Sequence, residues 1–170
     1  MKFSKTPIAG AYIVDLEKRK DHRGFLARTW DRKEFREHRI DIDLLQGYLC
    51  KTKYKATPRG LHYSSLPETK ITRVTRGKLY EVIVDLRTKQ CFGQEFSGYD
   101  YKMLITPPGC AHAVLTLEDN TEYIAYYSSY YDASHERGIR FDDPGFGIKW
   151  LIPVAVISDK DRSWPNYENQ

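Results

Sequence analysis

Between Leu44 and Ser128 the chain is a series of short segments rich in β-branched and aromatic residues, separated by turn signals. Lys70–Arg76 and Leu79–Leu86 flank a tight turn at Gly77 and are predicted to form a hairpin. Further strands are predicted over Ala11–Leu16, Leu44–Thr52, Phe96–Gly98, Tyr101–Thr106, Ala113–Leu117 and Glu122–Ser128. Many short strands with regular turns indicate a sandwich or barrel of the jelly-roll kind.

Helical signals are confined to Asp31–His38, where Asp31 is a plausible N-cap and Glu34 stands three positions on. From Tyr131 onward Pro, Gly and Asp are frequent, so irregular chain with short turns is expected. We therefore predict an all-β fold with short peripheral helices. A length of 170 residues fits one domain over residues 1–170.

Composition excludes several function classes. With 41% hydrophobic and 29% charged residues, the chain is typical of globular proteins. No apolar run could span a bilayer, and the first residues lack a signal-peptide core, so a cytoplasmic protein is expected. The net charge of +4 comes from scattered basic residues, which does not imply nucleic acid but suits an acidic small ligand. Three cysteines, Cys50, Cys91 and Cys110, without a C-x-x-C pair argue against a disulfide framework and a zinc knuckle.

The segment Thr57–Tyr63, which reads T-P-R-G-L-H-Y, carries the first candidate site residues. Arg59 and His62 are three positions apart and would face opposite sides of a regular strand. A bulge at Gly60 would turn both side chains into one cavity. Imidazole is well suited to proton transfer near neutral pH, and guanidinium binds anions as a fork. An exposed arginine beside an ordinary strand histidine is the alternative interpretation.

Three more features could contribute to a site. They are Lys70 with its neighbour Arg73, the P-P-G-C-A-H segment ending in His112, and the carboxylates within Ser158–Asp161. The P-P-G-C-A-H segment also fits half of a metal-cupin signature. The other half needs His-x-His, and Tyr63 and Ser64 follow His62 instead, so a metal-dependent enzyme is the less favoured alternative.

Nearly the whole chain resembles the dTDP-4-dehydrorhamnose 3,5-epimerase family, as a divergent member. The similar segments keep the family's order, which makes the resemblance specific although each segment alone is modest. They are Asp21–Phe25, Arg59–Tyr63, Lys70–Gly77, Val84–Arg87, Pro107–His112, Tyr130–Gly138, Asp142–Trp150 and Ser158–Asp161.

The resemblance implies a cupin-like β-jelly roll of two antiparallel sheets, a homodimer, and no metal or organic cofactor. It also implies an epimerase of a nucleotide-linked 4-keto-6-deoxy sugar. Such an enzyme makes deoxysugars for surface polysaccharides such as lipopolysaccharide, or for natural products. The ketone acidifies the protons on carbons 3 and 5, so a base can remove one and reprotonation on the other face inverts that centre.

Roles for individual residues also come from the resemblance. His62 matches the base, Asp161 the carboxylate that orients it, and Lys70 the cation that stabilises the enolate oxygen. Arg59 matches a diphosphate clamp, and Arg23 an arginine contributed by the second subunit. The implied substrate-binding positions are Arg23, Arg59, His112, Tyr131 and Glu136, with His112 expected to support the pocket rather than act as the base.

The chain departs from the family pattern where the family carries a tyrosine general acid, because that position falls on Ala125. Tyr123 and Tyr127 share the strand face of Ala125 and are the candidate replacements, whereas Tyr126 points away. Losing the usual acid is also consistent with inversion at C3 or C5 alone, or with a non-catalytic protein that binds a nucleotide sugar.

Two further departures lie where the family holds the nucleotide and sugar. The block before Arg59 reads Q-G-Y-L-C-K-T, and Arg28 stands where the family has a glutamate. The nucleotide is therefore left open as dTDP-, CDP- or GDP-linked.

Overall fold

The computed structural model describes residues 1–169. The strands are β1 (Lys2–Lys5), β2 (Tyr12–Asp15), β3 (Lys18–Asp21), β4 (Gly24–Ala27), β5 (Gln46–Thr52), β6 (Pro58–Ser64), β7 (Lys70–Arg76), β8 (Lys78–Asp85), β9 (Cys91–Ser97), β10 (Lys102–Thr106), β11 (Cys110–Thr116), β12 (Thr121–Tyr127) and β13 (Glu136–Gly138). The α-helices are α1 (Arg32–Glu37) and α2 (Asp159–Ser163), and short 3₁₀ helices cover Pro144–Phe146 and Tyr167–Asn169.

The strands form two antiparallel sheets and a separate hairpin of β3 with β4. The larger sheet has the order β1-β2-β10-β7-β12-β5, and the smaller one β13-β6-β11-β8-β9. This arrangement confirms the predicted all-β, jelly-roll class. No helix within residues 1–169 has the length and apolarity needed to cross a membrane.

The main core lies between the two sheets, because alternate side chains of each strand point inward. Val74 and Ala125 of the larger sheet pack there with Ile83 and Val114 of the smaller one. β11 is buried along its whole length, since its outer face is covered as well. A second apolar cluster covers the outer face of the larger sheet and includes Phe35 of α1.

Most predicted strands are confirmed within a few residues, and so is the helix. Asp31 is its N-cap, and its side chain accepts hydrogen bonds from the backbone of Lys33 and Glu34. The predicted hairpin at Gly77 is wrong. β7 pairs with β10 and β12 in one sheet, whereas β8 pairs with β9 and β11 in the other. Gly77, with φ of +75°, therefore turns the chain from one sheet into the other.

Two elements went unpredicted in the segment after Tyr131, which was expected to be irregular. β13 is only three residues long and adds to the edge of β6, and α2 is a five-residue helix. Elements this short give little periodicity to detect.

The predicted bulge in β6 is confirmed. His62 lies opposite His112, but Arg59 lies opposite Val114, so β6 has one residue more than β11 between these pairs. Both Arg59 and His62 consequently lie on the inner face of the smaller sheet. Gly60 occupies the bulge with φ of +124°.

Candidate active site

A cavity of about 430 Å³ opens at one end of the space between the two sheets. The larger sheet contributes side chains from the start of β5 and β7 and from the end of β12, and the smaller sheet contributes β6. The polar and aromatic side chains that line the cavity include Tyr48, His62, Glu68, Lys70, Tyr127, Tyr131 and Glu136. The size and the mixture of aromatic and charged groups are typical of small-molecule sites.

His62 and Asp161 form a close pair on one wall of this cavity. The Nε2 of His62 lies 2.6 Å from Oδ1 of Asp161, and their side chains are 31% and 7% exposed. Ser158 caps α2 through a 3.1 Å hydrogen bond from the backbone of Asp161 and so fixes the helix that carries the carboxylate. With Nε2 donating to Asp161, Nδ1 of His62 is the ring nitrogen left to accept a proton.

Opposing effects set the protonation of Asp161. Burial raises the pKa of the carboxyl, but hydrogen bonding to His62, and then to Ser158 and the Gly60 backbone, leaves the pKa below its usual range. Asp161 is therefore a carboxylate at neutral pH, able to orient the imidazole and to stabilise an imidazolium.

Lys70 begins β7 and is 9% exposed, with its ammonium group near the opposite wall of the cavity. Burial brings the pKa of Lys70 below its usual value, and the charges of Glu68 and Glu81 and the nearby Cys50 offset that effect only in part. The Nζ of Lys70 lies 5.1 Å from the ring centroid of Tyr127, its cross-strand neighbour. A cation in so little water is a strong electrostatic group for a developing oxyanion.

The two tyrosines predicted to replace the missing acid have different positions. Tyr127 lines the cavity, and burial raises the pKa of its phenol, which therefore stays protonated. Tyr123 is packed in the core between the sheets, away from the lining residues, so the structure does not bring it to His62. Ala125 is buried between them, and Tyr126 is on the outer face as predicted.

The sequence interpretation missed Tyr48 and Glu68. Tyr48 lies directly opposite Ala125 on β5, lines the cavity, and contacts Tyr127 edge-on at 5.4 Å. Glu68 precedes Lys70 in the loop before β7 and accepts a hydrogen bond from Ser129. The alternation of Gln46, Tyr48 and Cys50 along one strand face was a usable signal for Tyr48, whereas a loop residue such as Glu68 gives none.

The predicted substrate-binding residues are only partly brought together. Tyr131 and Glu136 line the cavity, and the Tyr131 hydroxyl donates to Glu136 at 3.0 Å. His112 is buried between the sheets, where its Nε2 lies 3.1 Å from Glu81. It is not among the described residues that line the cavity, and its supporting role stays a prediction.

The two predicted arginines lie elsewhere. Arg59 extends toward the other end of β5, where it donates to Thr52 at 2.9 Å. Arg23 is 78% exposed on the β3–β4 hairpin and pairs with Asp21 at 2.6 Å. Neither guanidinium is among the described groups that line the cavity.

Across the described residues, no three His, Cys, Asp or Glu side chains are grouped as a metal site would require.

Comparison with known proteins gives consistent matches. The sequence model of the family described as dTDP-4-dehydrorhamnose 3,5-epimerase matches residues 5–169. The enzyme of that name from Sinorhizobium fredii is 33% identical over 174 residues, covering 98% of this chain and 89% of the relative.

Solved structures agree with the sequence matches. The dTDP-4-dehydrorhamnose 3,5-epimerase of Bacillus anthracis, solved with TDP and PPi bound, superposes with a TM-score of 0.92 at 30% identity, covering 97% of this chain and 98% of that one. The dTDP-6-deoxy-D-glucose-3,5-epimerase of Legionella pneumophila, in complex with dTDP-4-keto-L-rhamnose, gives 0.91 at 26% identity, with coverages of 97% and 92%.

Proposed function

The chain belongs to the dTDP-4-dehydrorhamnose 3,5-epimerase family, and on that premise we propose that it inverts C3, C5 or both in a dTDP-linked 4-keto-6-deoxy sugar. The family supports an isomerase of nucleotide-linked sugars. The matches support dTDP as the carrier and give no support to CDP, GDP or a non-catalytic binding protein. The observation that carries the proposal is the His62–Asp161 pair facing a cavity that also contains Lys70.

In the proposed reaction, Nδ1 of His62 takes the proton from the carbon next to the ketone. The C–H electron pair moves into a carbon–carbon double bond and the ketone oxygen becomes an enolate oxygen, which the Lys70 ammonium stabilises. A proton delivered to the opposite face of the same carbon restores the ketone and inverts the centre. We assign that delivery to Tyr127, the candidate phenol that lines the cavity.

A homodimer is part of the proposal. Leu26 and Leu49 are exposed, and Leu45 and Tyr126 line an apolar groove with Trp30 on the outer face of the larger sheet. Exposed apolar surface of this kind, beside the free edge of β5, favours association with a second copy. We place Arg23 of one subunit at the cavity of the other.

We propose that the enzyme works in the cytoplasm and supplies deoxysugars for surface polysaccharide such as lipopolysaccharide. The cysteines in the described chain are free thiols, as is usual in a reducing compartment.

The test is incubation with a dTDP-4-keto-6-deoxyhexose in D₂O, followed by NMR and mass spectrometry. Deuterium should appear at C3, C5 or both; the labelled position tells which carbon is deprotonated, and the ring coupling constants in the NMR spectrum tell whether that centre is inverted. His62→Asn should abolish labelling while TDP affinity, measured by calorimetry, stays near that of the wild type, because a base acts mainly in the transition state. Wild-type protein that binds TDP but labels neither carbon would contradict the proposal.

A further inference from the structure

A buried carboxylate lies behind the cavity and has no part in the reaction described above. Glu81 sits on the inner face of β8 and is 1% exposed. Its Oε2 accepts hydrogen bonds from the Thr72 hydroxyl and from Nε2 of His112, the latter at 3.1 Å. Its Oε1 is buried and has no hydrogen-bond partner among the described residues. Three elements, β7, β8 and β11, thus converge on one carboxyl group.

Such a group is costly to bury unless a charge balances it. His112 does not supply that charge, because burial lowers the pKa of its imidazole and leaves it a neutral donor. Lys70 lies two residues before Thr72 on the same buried face of β7, where the charge of Glu81 raises the pKa of the ammonium group without a direct ion pair among the described contacts. Burying an ammonium group also costs free energy, because the group loses its hydration and tends to release its proton.

We propose that Glu81, held in place by Thr72 and His112, is the buried counter-charge that keeps Lys70 an ammonium ion at the cavity wall. Glu81 acts on the substrate only through the charge of Lys70. The role of that ammonium ion in the reaction rests on the proposed function. The electrostatic effect of Glu81 on Lys70 does not depend on the proposed function.

Other groups also face Lys70. Glu68 approaches from the preceding loop, the Tyr127 ring from β12, Cys50 from β5, and His112 from β11. Glu68, like Glu81, raises the pKa of Lys70. The two carboxylates differ in setting, because Glu68 lines the open cavity whereas Glu81 is enclosed. Salt screens the first much more than the second.

Competitive labelling with acetic anhydride measures the protonation of Lys70 without any substrate. Lys70-containing peptides are quantified by mass spectrometry over a range of pH, and the midpoint of labelling is compared between variants. Glu81→Gln should lower that midpoint by about one pH unit or more, because the neutral amide removes the buried charge. Glu81→Asp keeps the negative charge, so the pH midpoint of Lys70 labelling should stay close to that of the wild type.

Salt separates the two carboxylates. At about 0.5 M KCl the effect of Glu68→Gln on the midpoint should shrink, whereas that of Glu81→Gln should persist. Glu95→Gln is the matched control. Glu95 lies on the edge strand β9 and pairs with Lys78 at the surface, so this change should leave the Lys70 midpoint unchanged. Equal midpoints in wild type and Glu81→Gln would overturn the inference, because Glu81 would then be protonated or uncoupled from Lys70.

If Glu81→Gln does not fold, the wild-type protein still gives the answer. The side-chain carboxyl ¹³C signal of Glu81, assigned by its displacement in Glu81→Asp, should report a carboxylate at pH 7, and a protonated carboxyl there would overturn the inference. Where turnover is measurable, the alkaline limb of the exchange rate should move to lower pH in Glu81→Gln. One outcome is that Glu81→Gln shifts the Lys70 midpoint while the wild-type protein shows no deuterium exchange. That result would contradict the proposed function and leave the inference about Glu81 standing.

Discussion

His62 can serve as a base only while its ring is held in one orientation and tautomer. Asp161 provides this hold through the 2.6 Å contact and is itself fixed by the capped start of α2. Asp161→Asn should therefore lower the rate of deuterium exchange by about 10²- to 10⁴-fold. Asp159→Asn changes an exposed carboxylate in the same helix and should keep the wild-type rate. Equal rates in the two variants would remove Asp161 from the mechanism.

Ala125 is predicted to stand where the family carries its tyrosine acid, and the tyrosines that line the cavity beside it allow a controlled test. Tyr127→Phe removes one oxygen from the cavity and should slow exchange by about 10²-fold. Tyr99→Phe makes the same chemical change at an exposed position outside the cavity and outside the groove of the proposed dimer, and should have little effect. If Tyr48→Phe slows exchange and Tyr127→Phe does not, Tyr48 is the donor.

At the scale of single residues, the sequence identified the residues of the candidate active site better than it identified their positions relative to the cavity. His62, Lys70 and Asp161 could be named because the motifs around them resemble those of a known family. That Tyr127 lines the cavity while Tyr123 is packed in the core could not be read from alternation, which places both on the same face of β12. Their difference comes from position along the strand, because only the Tyr127 end of β12 reaches the open end of the two sheets.

At the scale of secondary structure, the bulge of β6 depends on one glycine. A Cβ at Gly60 would lie 2.6 Å from the backbone oxygen of His112 and 2.7 Å from Ala113, and φ is +124°. Gly60→Ala should therefore cost about 3 kcal/mol of unfolding free energy and displace His62 from Asp161. Gly147→Ala, where φ is +58° and the space is open, should cost only about 1 kcal/mol. Urea unfolding compares them, and similar losses would contradict the close approach of β6 to β11.

The end of β8 carries an ion pair that links stability to pH. Asp85 is buried and accepts two 2.9 Å hydrogen bonds from the Arg87 guanidinium, which lower the pKa of the carboxyl below its usual value. The stabilisation is thus complete above the unfolded-state pKa of about 3.9 and is lost as pH falls through the lower folded-state pKa. Because Arg87 is largely exposed, the effect should be about 1 kcal/mol.

Urea unfolding between pH 5 and pH 2 checks this pair. Asp85→Asn and Arg87→Met should both show a shallower loss of stability with acid than the wild type, because each removes the carboxylate–guanidinium interaction. Parallel pH profiles for all three proteins would show that the pair does not contribute.

Strand positions were predicted well and strand pairing was not. β-Branched and aromatic segments with glycine turns mark where strands begin and end, and these are local properties. Which sheet a strand joins depends on partners far along the chain, as the wrong hairpin at Gly77 shows. β7 pairs with β12, about 50 residues away, and both contribute side chains to the core between the sheets.

At the scale of the whole molecule, the proposed dimer makes a prediction about where Arg23 acts. Arg23→Ala and His62→Asn homodimers should each have little activity. In a mixed dimer, the site with an intact His62 would receive an intact Arg23 from the partner, and the other site would lack both. After unfolding and refolding an equal mixture, half of the dimers are mixed and each has one working site, so about a quarter of the wild-type exchange rate should return. If Arg23 served its own subunit, every mixed site would lack one group and no activity would return.

The Leu49→Asp variant, which places a charge on the exposed edge strand, provides the control. Sedimentation shows which proteins are dimers. Activity should recover only in those proteins, because a site shared between subunits requires both subunits.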